Sequence, residues 1–361
     1  MRPLCLAAFG ALVAGCATLL GEGPCRSEGH ETACFERHED EYLGLWGLDP
    51  AAGLAASGVE IRRAMIRDDY ARFLPSVEFR RRPGEAPTVT VRPAGPPPRT
   101  PAMRAMIGAQ QWAEATDAAR DFDRLPPPPT IRVEGDEITV CAHSWLIFAE
   151  ATDAAAQPGL RVRRRVEHSC FGSAAAAYAE RLGEIAVRAL PSCAAVEIER
   201  HPFQILAVCS RFTGNLIAAA AGYNGYYRLA SLDEDEAEQA RALFAPGATL
   251  AWHGFPDAAT GAADLWMERK LGQTGGSLFL DQVRGDSEDR ASIGARMRRW
   301  SDDPPRGDGV WLEAPVEMLW TRRGTRPFRV ERIAVGPFAP LPGLCPPGLL
   351  TGAERANNCH R

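Results

Sequence analysis

Lysine is almost missing from this 361-residue chain: of 41 basic residues, Lys270 alone is lysine and the rest are arginine. Arginine in excess can signal carboxylate or phosphate recognition. Here it is spread along the whole chain, as coding bias in a GC-rich genome would leave it. No basic cluster is interleaved with aromatics and the net charge is −5, which argues against nucleic acid as a partner. Beyond the amino terminus no apolar run approaches the ~20 residues a membrane-spanning helix needs. Also missing are G-x-S-x-G, H-E-x-x-H, G-x-x-x-x-G-K-S/T and G-x-G-x-x-G. Most hydrolases that carry such motifs are thereby disfavoured, and no cofactor is implied.

The amino terminus is the most informative stretch. Met1-Arg2-Pro3 is a short positive start, and Leu4 to Val13 is an apolar core too short to span a bilayer. This is the layout of an export signal, assigned to residues 1–15. The closing Val13-Ala14-Gly15-Cys16 resembles the lipobox of bacterial lipoproteins. The resemblance implies cleavage before Cys16, a diacylglycerol thioether on it and acylation of the new amino terminus. Several acyl chains anchor stably, because each buried methylene contributes ~0.8 kcal/mol. Ala17, where an aspartate would retain the protein at the inner membrane, implies sorting to the outer membrane. The chain is therefore expected to face the periplasm, with the membrane as a partner through its lipid.

Export gives the other cysteines a meaning. Beyond Cys5 in the signal and Cys16, eight remain: Cys25, Cys34, Cys141, Cys170, Cys193, Cys209, Cys345 and Cys359. An even number in an oxidising compartment reads as four disulfides, and no C-x-x-C spacing suggests zinc. Sequence alone leaves the connectivity open, but the cysteines fall into neighbouring couples. Strands over 138–149 and 160–169 would place Cys141 opposite Cys170, His143 opposite His168, Trp145 opposite Val166 and Ala149 opposite Val162. A second hairpin turning at Arg200-His201-Pro202 would pair Cys193 with Cys209. Cys25–Cys34 would close a loop near the tether and Cys345–Cys359 would pin the tail. Facing imidazoles at His143 and His168 could ligate a metal, but periodicity supplies no third ligand, and a structural pair is the favoured reading.

The remaining ~345 residues are enough for two domains. The expected fold class is α+β, in two domains of antiparallel strands with helices: a disulfide-stapled domain over 51–213 and a cone-like domain over 214–338. A polar tether over 16–50 precedes them and a tail over 339–361 follows. Within the first, helices are predicted over 51–74, 103–122 and 174–190, and strands over 76–82 and 87–92. Within the second, the predicted elements are a helix after Ser231, a strand over 248–252, a helix over 262–271, a strand over 277–283, and a hairpin of 310–321 with 328–335. The glycine-interrupted stretch 214–227 is assigned no helix, and 284–309 no element. The sequences ALFAPGATLAWHG and PFRVERIAVGPF, with this element order, resemble the nuclear-transport-factor-2-like superfamily over about 229–338. That resemblance implies a cone whose mouth Trp252, Trp266, Trp311 and Trp320 could line, with His253 and Asp281 as its titratable groups. Such cones serve enzymes, ligand binders and interaction modules alike. The favoured function is a lipid-anchored binding or interaction module with an envelope protein as partner; the alternative is a small-molecule enzyme using the cone cavity.

Overall fold

The computed structural model describes residues 35–341 apart from 69–72, 96–99, 121, 123–130, 135–136, 141–143, 155–159, 171, 234–235, 256–260, 272–276 and 302–309. The signal, Cys16, Cys25, Cys34, Cys141, His143, Cys345 and Cys359 lie outside the described residues. The fold is α+β, in two compact units. One is Met1–Ala194 with Glu199–Ser210, and the other is Ala195–Ile198 with Arg211–Arg361. The first therefore ends a little before the expected 213.

In the first unit α1 (Glu39–Trp46) and α2 (Ala51–Ala56) lead into β1 (Glu60–Arg67), β2 (Ser76–Arg81), β3 (Thr88–Arg92) and β4 (Met103–Met106). Then follow α3 (Ala109–Ala118), the separate hairpin β5 (Ile131–Glu134) and β6 (Glu137–Val140), β7 (Leu146–Ala154) and β8 (Leu160–His168). The six-stranded antiparallel sheet has the order β4-β3-β2-β1-β7-β8. On one face Phe35, Tyr42, Leu43 and Trp46 pack against Met65, Leu146, Phe148 and Val166. The other face carries α4 (Ala174–Ala189), which packs on β1 and β7, and its Tyr178 hydroxyl donates to the Glu150 carbonyl at 3.0 Å.

Several expectations need correcting here. Residues 35–50 are not a loose tether. Phe35, Tyr42, Leu43 and Trp46 make a buried helical stripe, and Glu39, Asp40 and Glu41 sit in the first turn, where the helix dipole favours acids. The predicted helix over 51–74 is a six-residue helix stopped at Gly58 (φ 75°), followed by β1. β1 is central and covered on both faces, so its run of buried residues lacks the alternation that marks a half-exposed strand. The predicted helix over 103–122 starts at Ala109, where the Gly108 N–H donates to Gln111 Oε1 at 3.1 Å. The β7–β8 hairpin exists, but shifted by three residues: Phe148, not Trp145, faces Val166, Leu146 faces His168, and Thr152 faces Val162. Leu146-Ile147-Phe148-Ala149 is buried on both faces, so hydrophobic pattern could not set its register.

Cys193 and Cys209 are disulfide-bonded, with Cα atoms 5.3 Å apart. The expected strands around them are instead α5 (Pro191–Ala194) and α6 (Pro202–Cys209). Pro202 fits the first turn of a helix, where no N–H is required, and His201 Nδ1 accepts from the Phe203 N–H at 3.3 Å. Cys170 is also disulfide-bonded, its partner lying outside the described residues.

The second unit comprises β9 (Phe212–Gly214), α7 (Leu216–Ser231), α8 (Ala237–Leu243), β10 (Phe244–Trp252) and α9 (Ala262–Leu271). The strands β11 (Ser277–Ser287), β12 (Arg290–Ser301), β13 (Val310–Thr321), β14 (Arg329–Val335) and β15 (Ala339–Pro340) complete it. They form a sheet of order β10-β14-β13-β12-β11-β9, with β15 on β13. The sheet is mixed rather than antiparallel throughout: β10 runs parallel to β14, and β9 to β11. Ala291, Ile293, Ala295 and Met297 of the unassigned stretch alternate into the core from β12.

The stretch assigned no helix is the long helix α7. Its glycines are close-approach points: a Cβ on Gly222 would lie 2.6 Å from Ala291 Cβ, and one on Gly225 2.4 Å from Trp320 Cζ3. The sole lysine closes the helix. Buried Lys270 Nζ donates to the carbonyls of Leu229 (3.2 Å), Ala230 (2.7 Å) and Leu232 (3.0 Å). Three donors on a compact ammonium meet carbonyls that the helix end leaves unpaired, and the cation opposes the helix dipole. Burial nevertheless lowers the Lys270 pKa from its ordinary value.

Candidate functional site

The tryptophans expected at a mouth are instead mostly buried in the second unit. Trp266 and Trp320 are fully buried and Trp252 is 2% exposed. The Trp252 and Trp266 rings lie 6.1 Å apart, Phe338 lies 6.4 Å from Trp252, and Trp320 covers Gly225. The indole N–H groups of Trp266 and Trp320 have no hydrogen-bond partner among the described residues. The titratable candidates are not brought to this cluster. His253 is exposed at the end of β10, where its backbone N–H donates to Val335 O at 2.9 Å. Asp281 sits at a bulge of β11, exposed, and pairs with Arg296 at 2.8 Å. Trp311 stacks edge-on against Trp300, its cross-strand neighbour, at 5.5 Å. Burial, then the neighbouring Tyr223 and Asp281, raise the Tyr226 pKa, so its phenol stays protonated.

Polar chemistry concentrates in the first unit, in residues that no motif announced. Register places Arg164 of β8, Glu150 of β7, Arg63 of β1, Glu78 of β2, Thr90 of β3 and Arg104 of β4 in one row across the whole sheet. Arg63, Glu150 and Glu78 are essentially inaccessible. Arg63 binds Glu150, reaches Glu78 at 3.4 Å and donates to the Asp49 carbonyl at 2.7 Å. Arg164 bridges Glu150 at 2.7 Å and Glu39 at 2.6 Å. Burial works against the Arg164 charge, but Glu150 and then Glu39 outweigh it and raise its pKa. Arg80 binds Glu78 at 2.9 Å and Asp49 at 3.2 Å. Charges this deep persist only when paired and hydrogen-bonded, and here each acid is matched by a guanidinium.

Beside α1, over β2 to β4, the same face opens into a cavity of about 270 Å³. Glu78, Arg80, Thr88, Thr90, Arg92 and Arg104 line it, with Arg82 and Glu85 at its rim. In the second unit a shallower groove of about 320 Å³ runs over the sheet face away from α7, between Arg284, Arg290, Glu317 and Arg332. Of the histidine pair considered for metal, His168 shares a hydrogen bond of 2.8 Å between its Nδ1 and Ser144 Oγ. No group of three or more His, Cys, Asp or Glu is arranged to hold a metal among the described residues.

No protein-family profile matches the chain, and no curated protein does. Among solved structures it is similar to a hexachlorocyclohexane dehydrochlorinase, LinA type 2, at 17% identity and TM-score 0.30, over 37% of this chain and 97% of that one. It is also similar to a ketosteroid isomerase-like protein from Erwinia carotovora atroseptica, at 14% identity and TM-score 0.26, over 33% of this chain and 91% of that one. A nuclear transport factor 2-like superfamily protein from Salmonella enterica matches at 14% identity and TM-score 0.26, over 33% and 91%. About a third of the chain thus bears a weak resemblance to nuclear-transport-factor-2-like folds, a likeness of fold and not of activity.

Proposed function

We propose that this chain is a lipid-anchored envelope protein, facing the periplasm from the outer membrane, that works as a binding or interaction module. The observation that supports the reading is the second unit's interior, where Trp252, Trp266 and Trp320 are buried side chains rather than exposed lining. The lipobox residues Val13 to Cys16 support the anchor. The Cys193–Cys209 disulfide suits an oxidising compartment. The enzyme alternative would gain from His253 or Asp281 in a pocket with a second polar group; both side chains are exposed, Asp281 beside Arg296.

Photo-crosslinking in cells tests the reading, with the reactive group placed at Gln282 or Glu317 on the exposed sheet face of the second unit. A discrete adduct with one envelope protein, absent when the group sits at exposed Arg323, is the expected result. The reading fails if no adduct forms while the purified protein turns over a small molecule without a partner.

A further inference from the structure

We propose that the cavity over β2, β3 and β4 of the first unit binds a phosphate-bearing ligand, an inference that rests on reading the chain as a binding module. The argument starts from which charges are already matched. Glu78, the buried acid of the cavity, is shared by Arg63 and Arg80, and Asp49 takes the outer edge of Arg80. Arg82 has only exposed Glu85 at 3.8 Å. Arg92 and Arg104 have no carboxylate in ion-pair range among the described residues. Arg104 makes one long hydrogen bond, 3.4 Å to Thr88 Oγ1, and among the described residues Arg92 Nε is buried without a hydrogen-bond partner.

Register makes the two arginines neighbours. Arg104 stands directly opposite Thr90, and Arg92 lies two residues along β3 from Thr90 on the same face. Such diagonal positions are ~7–8 Å apart at the backbone, within reach of long side chains. Two like charges side by side, one with a buried donor unsatisfied, are unfavourable unless an anion lies between them. Across the sheet, positive and negative residues alternate from Arg164 to Glu78, and the alternation breaks at Thr90. A bound anion there would restore it.

Phosphate suits the donors best. Guanidinium forks donate two parallel hydrogen bonds to phosphate oxygens, and the hydroxyls of Thr88 and Thr90 add single donors for the rest. A phosphate monoester in solution and the headgroup of an anionic phospholipid present this same chemistry.

Calorimetric titration of the full chain carrying Cys16→Ser, which removes the acyl anchor, tests the proposal. The probes are inorganic phosphate, vesicles containing phosphatidylglycerol, and vesicles of phosphatidylcholine alone. Binding to either of the first two and not to the third is expected, phosphate pointing to a soluble ligand and vesicles alone to a headgroup. Arg92→Gln and Arg104→Gln should each weaken that binding about tenfold, as loss of a charge-assisted hydrogen bond implies. The corresponding lysine variants should fall between, keeping the charge without the fork, and Arg284→Gln in the second unit should change nothing. Should Arg92→Gln unfold, Arg104→Gln on exposed β4 carries the test alone. Absence of binding to both probes, or equal binding by the double variant, overturns the proposal. An envelope adduct that persists while these titrations fail would remove the anion site and leave the interaction reading standing.

Discussion

At the scale of the residue, one buried histidine should tie the stability of the first unit to pH. His201 lies edge-on to Trp145, with ring centroids 4.5 Å apart, and its Nδ1 caps α6 by accepting from Phe203. Only a neutral imidazole can accept there, and burial lowers its pKa from 6.5 to about 4. The unfolded chain therefore takes up the proton first. This contribution to stability is whole above pH 6.5 and is lost as pH falls toward 4. Denaturant midpoints measured across that window should decline, and His201→Asn, which keeps a capping oxygen, should flatten the decline. A slope unchanged by the substitution would show that other groups control it. The buried row from Arg63 to Glu150 works differently: its members are matched within the fold, and removing one strands its partner at ~3–5 kcal/mol.

At the scale of elements, glycine in α7 carries two opposed effects. Replacing a mid-helix glycine by alanine gains ~1 kcal/mol of helix propensity. At Gly225 the new methyl would meet the Trp320 ring at 2.4–3.0 Å, and overpacking of that kind costs ~1–3 kcal/mol. Gly225→Ala should therefore lower the thermal midpoint, while Gly53→Ala in α2, where nothing lies within 4 Å, should hold or raise it. Equal shifts in both would sink the close-packing explanation. These glycines also show why part of the fold was illegible. Read along the chain they break a helix; their reason lies on β12 and β13, distant in sequence and brought over α7 by the fold. Pro202 misled in the same way, since a proline that starts α6 looks like a hairpin turn when the neighbouring cysteines invite strands. Elements with their own punctuation were read well: α4 before Pro191, β2 and β3 around Gly84, and α9. The alternation of β12, with Ala291, Ile293, Ala295 and Met297 between Ser292, Gly294, Arg296 and Arg298, was there to be read and was missed. The candidate site was illegible for a deeper reason, because its row takes one residue from each of six strands and no local spacing records it.

For the whole molecule, the proposal that the amino-terminal residues set its location is open to a direct test. Cys16→Ser should move the protein from the membrane fraction to the soluble periplasmic fraction, and mass spectrometry of the native amino terminus should find the acyl chains only in the parent. An unacylated parent that stays soluble would defeat the anchor. The fold meanwhile puts its scarcest residue to one use. In a chain whose other basic side chains are all arginine, the only ε-amine is sealed under the end of α7 by three carbonyls. Dyes that attack primary amines should find no side chain to label while the second unit stays closed. One adduct at Lys270 would then mark each molecule in which α7 has come away, making the protein its own probe of unfolding.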